Sequence, residues 1–146
     1  MISSSSDPFA PIRRLLMALA AFGFVGIATE LVFLEHYEDA PMFIPLVTIA
    51  LALVALAVHA VAGTVSTLWL LRIAMLVVLV SGGVGVVLHY RGSLEFQVDM
   101  DPTLSATQLF WKVMHMKAPP TLAPGVLAQM GLLGLLSTYR HPAVRR

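Results

Sequence analysis

Four ionisable residues, Glu30, His59, Arg72 and His89, sit inside or at the ends of long apolar runs. A charged group in hydrocarbon is costly, so each is first read as a proton or cation site, or as a polar lock between helices. Glu30 follows Gly23 and Gly26 at helical spacings, and His89 follows Ser81 and Gly85 in the same way. Both are therefore expected on small-residue ridges that face other helices. They are expected near one depth, where Glu30 pairs with His89 or with Arg91. Glu30, His89 and Arg91 form the leading candidate site, and the plainest role for it is a structural lock. Weaker candidates are His36, His59, Arg72 and His115. His59 is expected to hydrogen-bond a neighbouring helix, and Arg72 to snorkel to the headgroups.

Metal chemistry is the second possibility. Glu35, His36, Glu38, Asp39, His89, Asp99, Asp101 and His115 are expected on one side of the membrane, with Met42, Met100, Met114 and Met116 nearby. Methionine with histidine would suit copper(I). Met114-His115-Met116 is the tempting run, yet on a helix its two sulfurs point about 200° apart, and on a strand the histidine points away from both. The acids of the stretch Glu30 to Asp39 likewise spread around a helix axis instead of sharing a face. No metal and no cofactor is expected. Catalysis finds less support: there is no His-Glu-x-x-His, glycine-rich phosphate loop, Gly-x-Ser-x-Gly or Ser-x-x-Lys motif. No serine or threonine has an evident base beside it, so the expected role is non-enzymatic.

The elements that position these residues are membrane spans. Hydrophobic residues make up 58% of the 146, charged residues 12%, and the mean hydropathy is +0.86, against about 25% charged residues in soluble domains. The apolar segments leave no room for a second core, so residues 1–146 form one domain. Absence of cysteine excludes disulfides and thiolate chemistry, and a formal net charge of +1 gives no reason to expect nucleic acid.

A polar tail, 1–14, precedes spans at about 15–34, 43–63, 68–90 and 122–139. The first could also serve as a signal peptide, with Gly26 and Ala28 near a cleavage site, but apolar residues resume after Glu30 and favour an uncleaved span. At about 1.5 Å per residue a run of this length covers roughly 30 Å, the hydrocarbon thickness. The short link Thr-Val-Ser-Thr makes spans two and three an antiparallel hairpin. An even number of spans puts Arg13, Arg14, Arg72, Arg140, Arg145 and Arg146 on one side, against Arg91, Lys112 and Lys117 on the other. Basic residues are retained in the cytoplasm, so both termini are expected there.

Residues 91–120 form the one sizeable segment outside the membrane. Leu94, Phe96, Val98 and Met100 alternate with Glu95, Gln97, Asp99 and Asp101, which predicts a strand. Ser105 and Gln108 make a capping box that starts an amphipathic helix over Ala106 to Met116. A lone strand needs a ladder partner, so residues 94–116 are expected to meet a second copy or another membrane protein by strand addition.

The segments from Glu30 (Glu-Leu-Val-Phe-Leu-Glu-His-Tyr-Glu-Asp), Leu94 (Leu-Glu-Phe-Gln-Val-Asp-Met-Asp-Pro), Leu109 (Leu-Phe-Trp-Lys) and Leu122 (Leu-Ala-Pro-Gly-Val-Leu-Ala-Gln) resemble small four-span bacterial membrane proteins of uncharacterised function. The resemblance implies a multi-pass protein of the bacterial inner membrane and transfers no site residue. The expectation is an all-α four-transmembrane-helix bundle in the lipid bilayer, with a short extracytoplasmic strand plus amphipathic helix between spans three and four. Its role would be that of an accessory or interaction subunit. The alternative is a small transporter or an ion- or proton-sensing protein using Glu30 and His89.

Overall fold

The computed structural model describes residues 7–117 and 119–144. The first six residues of the polar tail, and Arg145 and Arg146 of the charge count, lie outside them. The described residues form five α-helices and no strand: α1 (Ala10–Phe33), α2 (Phe43–Ala62), α3 (Val65–Met100), α4 (Ala106–Met114) and α5 (Leu122–Ser137). Three helical segments, Ala10–Phe33, Ala40–Ala62 and Val65–Met100, are long and apolar enough to cross a bilayer. This is a membrane protein. Its outward faces agree, since Phe22 and Val61 stay 79% and 91% exposed, side chains that suit lipid and not water.

The bundle is held by side-chain packing. Ala20, Phe24 and Ile27 of α1 meet Ile49, Ala52 and Leu56 of α2, Leu71, Met75 and Val78 of α3, and Leu127 of α5. Helix α5 lies on α3 and α1, whereas α2 lies mainly on α3. Helices α3 and α5 run antiparallel and close: a Cβ on Gly82 would stand 2.5 Å from the Ala128 nitrogen, and one on Gly131 would stand 2.8 Å from the Leu79 nitrogen. Only glycine permits this approach of two backbones.

Several predicted boundaries shift. Helix α1 begins at Ala10, so Arg13 and Arg14 belong to its first turns and not to a tail. The link between α2 and α3 shrinks to Gly63, in the left-handed conformation at φ 58°, and Thr64, which caps α3 in a reciprocal box with Thr67. The predicted strand does not form. Residues Leu94 to Met100 continue α3, which reaches 36 residues, roughly 54 Å and longer than the hydrocarbon core is thick. With no ladder partner among the described residues, a strand would leave its N–H and C=O groups unpaired, whereas a helix pairs them internally. Glutamate, glutamine, leucine and methionine are also good helix formers. Strand addition is removed with the strand. The fourth apolar helix, α5, has 16 residues and is too short to count among the helices long enough to span.

Helix α4 starts where the spacing predicts, with the Ser105 hydroxyl accepting from the Gln108 N–H and the Gln108 carboxamide oxygen accepting from the Ser105 N–H. It packs on α3, burying Val113 and setting Phe110 beside Tyr90 at 6.4 Å between rings.

Candidate functional site

Each end of the bundle carries polar groups, and the two ends are built differently. At the end where Asp7, Arg13 and His141 meet, three elements are tied together. Arg72 crosses from α3 to the C-terminus of α5, donating from Nε to the Thr138 hydroxyl and from an Nη to the Thr138 carbonyl, both at 3.1 Å. A guanidinium there meets the negative end of the helix dipole, so Arg72 is a cap and does not snorkel. It also lies 4.9 Å over the Trp69 ring.

His59, buried on α2, reaches α3 as expected. Its Nδ1 is 3.0 Å from the Thr67 hydroxyl, which itself donates to the Thr64 carbonyl. That contact ties α2 to the first turn of α3, and Nε2 makes no hydrogen bond among the described residues. The His141 ring stands edge-on to His59 at 5.2 Å. Burial first, then the nearby charges of Arg13, His59 and Arg72, hold the His141 imidazole below its ordinary value. Arg13 is buried and pairs with Asp7. Between α1 and α2 these groups open onto a cavity of about 790 Å³.

At the opposite end, Glu30 is exposed on α1. The α1 residues that face inward are Ala20, Phe24, Ile27 and Leu31, which leaves Glu30 and Gly26 on the outer side. Gly23 alone of the predicted ridge meets another helix, at Met130. No hydrogen bond or ion pair joins Glu30, His89 and Arg91 among the described residues, and Arg91 is exposed. His89 instead stacks on His36, with ring centroids 6.1 Å apart and planes at 23°. Glu35, at φ 52°, turns the chain so that His36 comes back over the bundle, while its own side chain stays exposed.

The two imidazoles border an apolar cavity of about 650 Å³, walled by Ile27, Leu31, Pro45, Val80, Leu88 and Leu127. Thr48 and Ser81 are the other polar side chains on its wall. His115 ends α4, its Nδ1–H donating to the Trp111 carbonyl at 2.7 Å. Asp101 accepts from the Thr103 hydroxyl at 2.6 Å and from the Thr103 N–H, which hold its carboxyl below the usual range. Among the described residues no three His, Asp or Glu side chains gather where a metal ion could be held.

Sequence reasoning missed Asp7, Thr67, Thr138 and His141. Their signal was present as carboxylate, hydroxyl and imidazole side chains at the ends of apolar helices, where an uncapped backbone group needs a partner. No protein-family model, no curated protein and no solved structure matches this chain.

Proposed function

We propose that this protein is a non-enzymatic accessory or interaction subunit of a bacterial inner membrane, docking through the arm formed by the end of α3 and α4. One observation carries the reading. Beyond the last apolar turns of α3, Phe96, Met100, Phe110 and Trp111 remain 55%, 69%, 43% and 55% exposed on a segment rich in charged neighbours. Aromatic and methionine side chains displayed beside polar ones mark a contact surface with another protein.

The four-crossing topology is part of this reading. Arg72 contacts Thr138, a Cβ on Gly131 would touch Leu79, and a Cβ on Gly85 would touch Pro124. That register lays α5 antiparallel along the apolar part of α3, so a bilayer holding one holds the other. Both ends of the described chain then share a side, and the excess of arginine there favours the cytoplasm. The resemblance to four-span bacterial proteins rests on the same segments and belongs with this proposal.

The competing transport reading loses Glu30, which faces away from the bundle, and between the two polar ends the interior is filled by Phe24, Met75 and Val78. A photo-crosslinking residue at Phe96 or Trp111, in native membranes, is expected to capture a discrete product, at twice the monomer mass for a second copy or at another defined mass for a different membrane protein. The same probe at Phe22 is expected to give none. Equal, diffuse labelling at all three positions would overturn the reading.

A further inference from the structure

We propose that the crevice between α1 and α2, at the end where Asp7 and His141 meet, binds one anionic phospholipid. Its phosphate would sit at Arg13, and an acyl chain would lie along Met17, Ala21, Leu53 and Leu56. Three observations converge. Arg13 is only 7% exposed, and while one Nη pairs with Asp7, its buried Nη1 finds no hydrogen-bond acceptor among the described residues. A buried guanidinium N–H without an acceptor is costly, and a phosphate oxygen is the acceptor that best matches its geometry.

The surroundings are net basic. Arg14, His59 and His141 border the same cavity as Arg13, and Asp7 is its one acid. His59 borders the crevice with its Nδ1 engaged with Thr67, so the anion's donors come from the arginines. The cavity holds about 790 Å³, whereas a water occupies about 30 Å³ in the liquid, so an inorganic phosphate would fill a small part of it. The remainder runs up the helices between apolar side chains, at the depth of the span and not of the aqueous phase. Charged head and apolar trough in one crevice match an amphiphile with an anionic head. A basic pocket between helices at the membrane surface is where such headgroups bind. Helix α1 packs chiefly on α5, and α2 on α3, which explains why α1 and α2 leave this gap between them.

The test uses the full chain, delipidated in neutral detergent and titrated with phosphatidylglycerol, with phosphatidylcholine, and with glycerol phosphate as a soluble competitor, read by native mass spectrometry. Wild type is expected to bind one phosphatidylglycerol with about tenfold preference over phosphatidylcholine, with little competition from glycerol phosphate. Arg13→Gln is expected to abolish the preference, while Arg91→Gln, at the other end, keeps it. Ala57→Phe fills the trough without touching the charges and is expected to weaken phosphatidylglycerol by about tenfold, so it carries the test should Arg13→Gln fail to fold. Equal binding of the two lipids, or wild-type binding by a folded Arg13→Gln or by Ala57→Phe, would sink the proposal. Full displacement by glycerol phosphate would replace the lipid with a free phosphate ester and overturn it as well.

Discussion

The two ends of the bundle use their ionisable residues in opposite ways, and the end that holds fewer of them is the one they tie together. Where the ends of the described chain meet, polar side chains bridge different helices: Arg72 to Thr138, His59 to Thr67, and His141 beside His59. At the other end, the hydrogen bonds stay within a few residues, Asp101 to Thr103, Ser105 to Gln108 and His115 to Trp111. There the arm is docked by apolar contacts, Val113 and the Tyr90–Phe110 pair. The acid-rich stretch after α1 is mostly solvated, and the end with a single described acid is the cross-linked one. Density of charge therefore does not locate the structural polar core. What locates it is which charges lie where helix ends bring unpaired backbone groups together.

Arg72→Ala should expose that contrast most strongly. It removes two charge-assisted bonds at the end of α5 and is expected to lower unfolding stability in detergent by about 3 kcal/mol, while Arg91→Ala stays within about 0.5 kcal/mol. Equal losses would erase the difference between the ends. Val113→Ala comes next, at about 2 kcal/mol, and its effect should be local: hydrogen exchange of α4 amides accelerates while the thermal midpoint of the bundle is unchanged. A matching fall in the midpoint would mean that the arm and the bundle unfold as one. Ser105→Ala should cost α4 about 1 kcal/mol by loss of its cap, again read by exchange over Ala106 to Met114.

The smallest effect is expected from pH. His141 is held below its ordinary value of 6.5 by burial and by Arg13, His59 and Arg72. The unfolded chain therefore takes up a proton before the folded one does as pH falls. The stability tied to a neutral His141 is intact above 6.5 and is lost progressively below it. Thermal midpoints measured from about pH 8 to pH 5 should fall on acidification, and His141→Gln should flatten that slope. An unchanged slope in the variant would assign the effect to other groups.

Much of the architecture was legible in the chain. The apolar runs marked the helices, the short link forced the α2–α3 hairpin, and Ser105 with Gln108 marked the start of α4. Leu94 to Met100 misled because alternating residues satisfy a strand pattern locally, while the lack of a second strand among the described residues, which decides the matter, is not a local property. The candidate site was less legible still. His59 was expected to reach a neighbouring helix and does so, but the pairing of Glu30 with His89 assumed a rotation of α1 that the fold does not adopt.

That rotation marks the division between sequence and tertiary structure. The sequence by itself determined that the protein is an apolar helical one, and where α4 starts, because those properties follow from hydropathy and from a cap within a few residues. Only the tertiary structure decided which side of each helix turns inward. In lipid both faces of a span are apolar, so periodicity does not separate inside from outside, and the choice falls to close packing such as Gly82 and Gly131 between α3 and α5. That packing turns Glu30 outward, and it accompanies His36 over His89 and Arg72 at the end of α5.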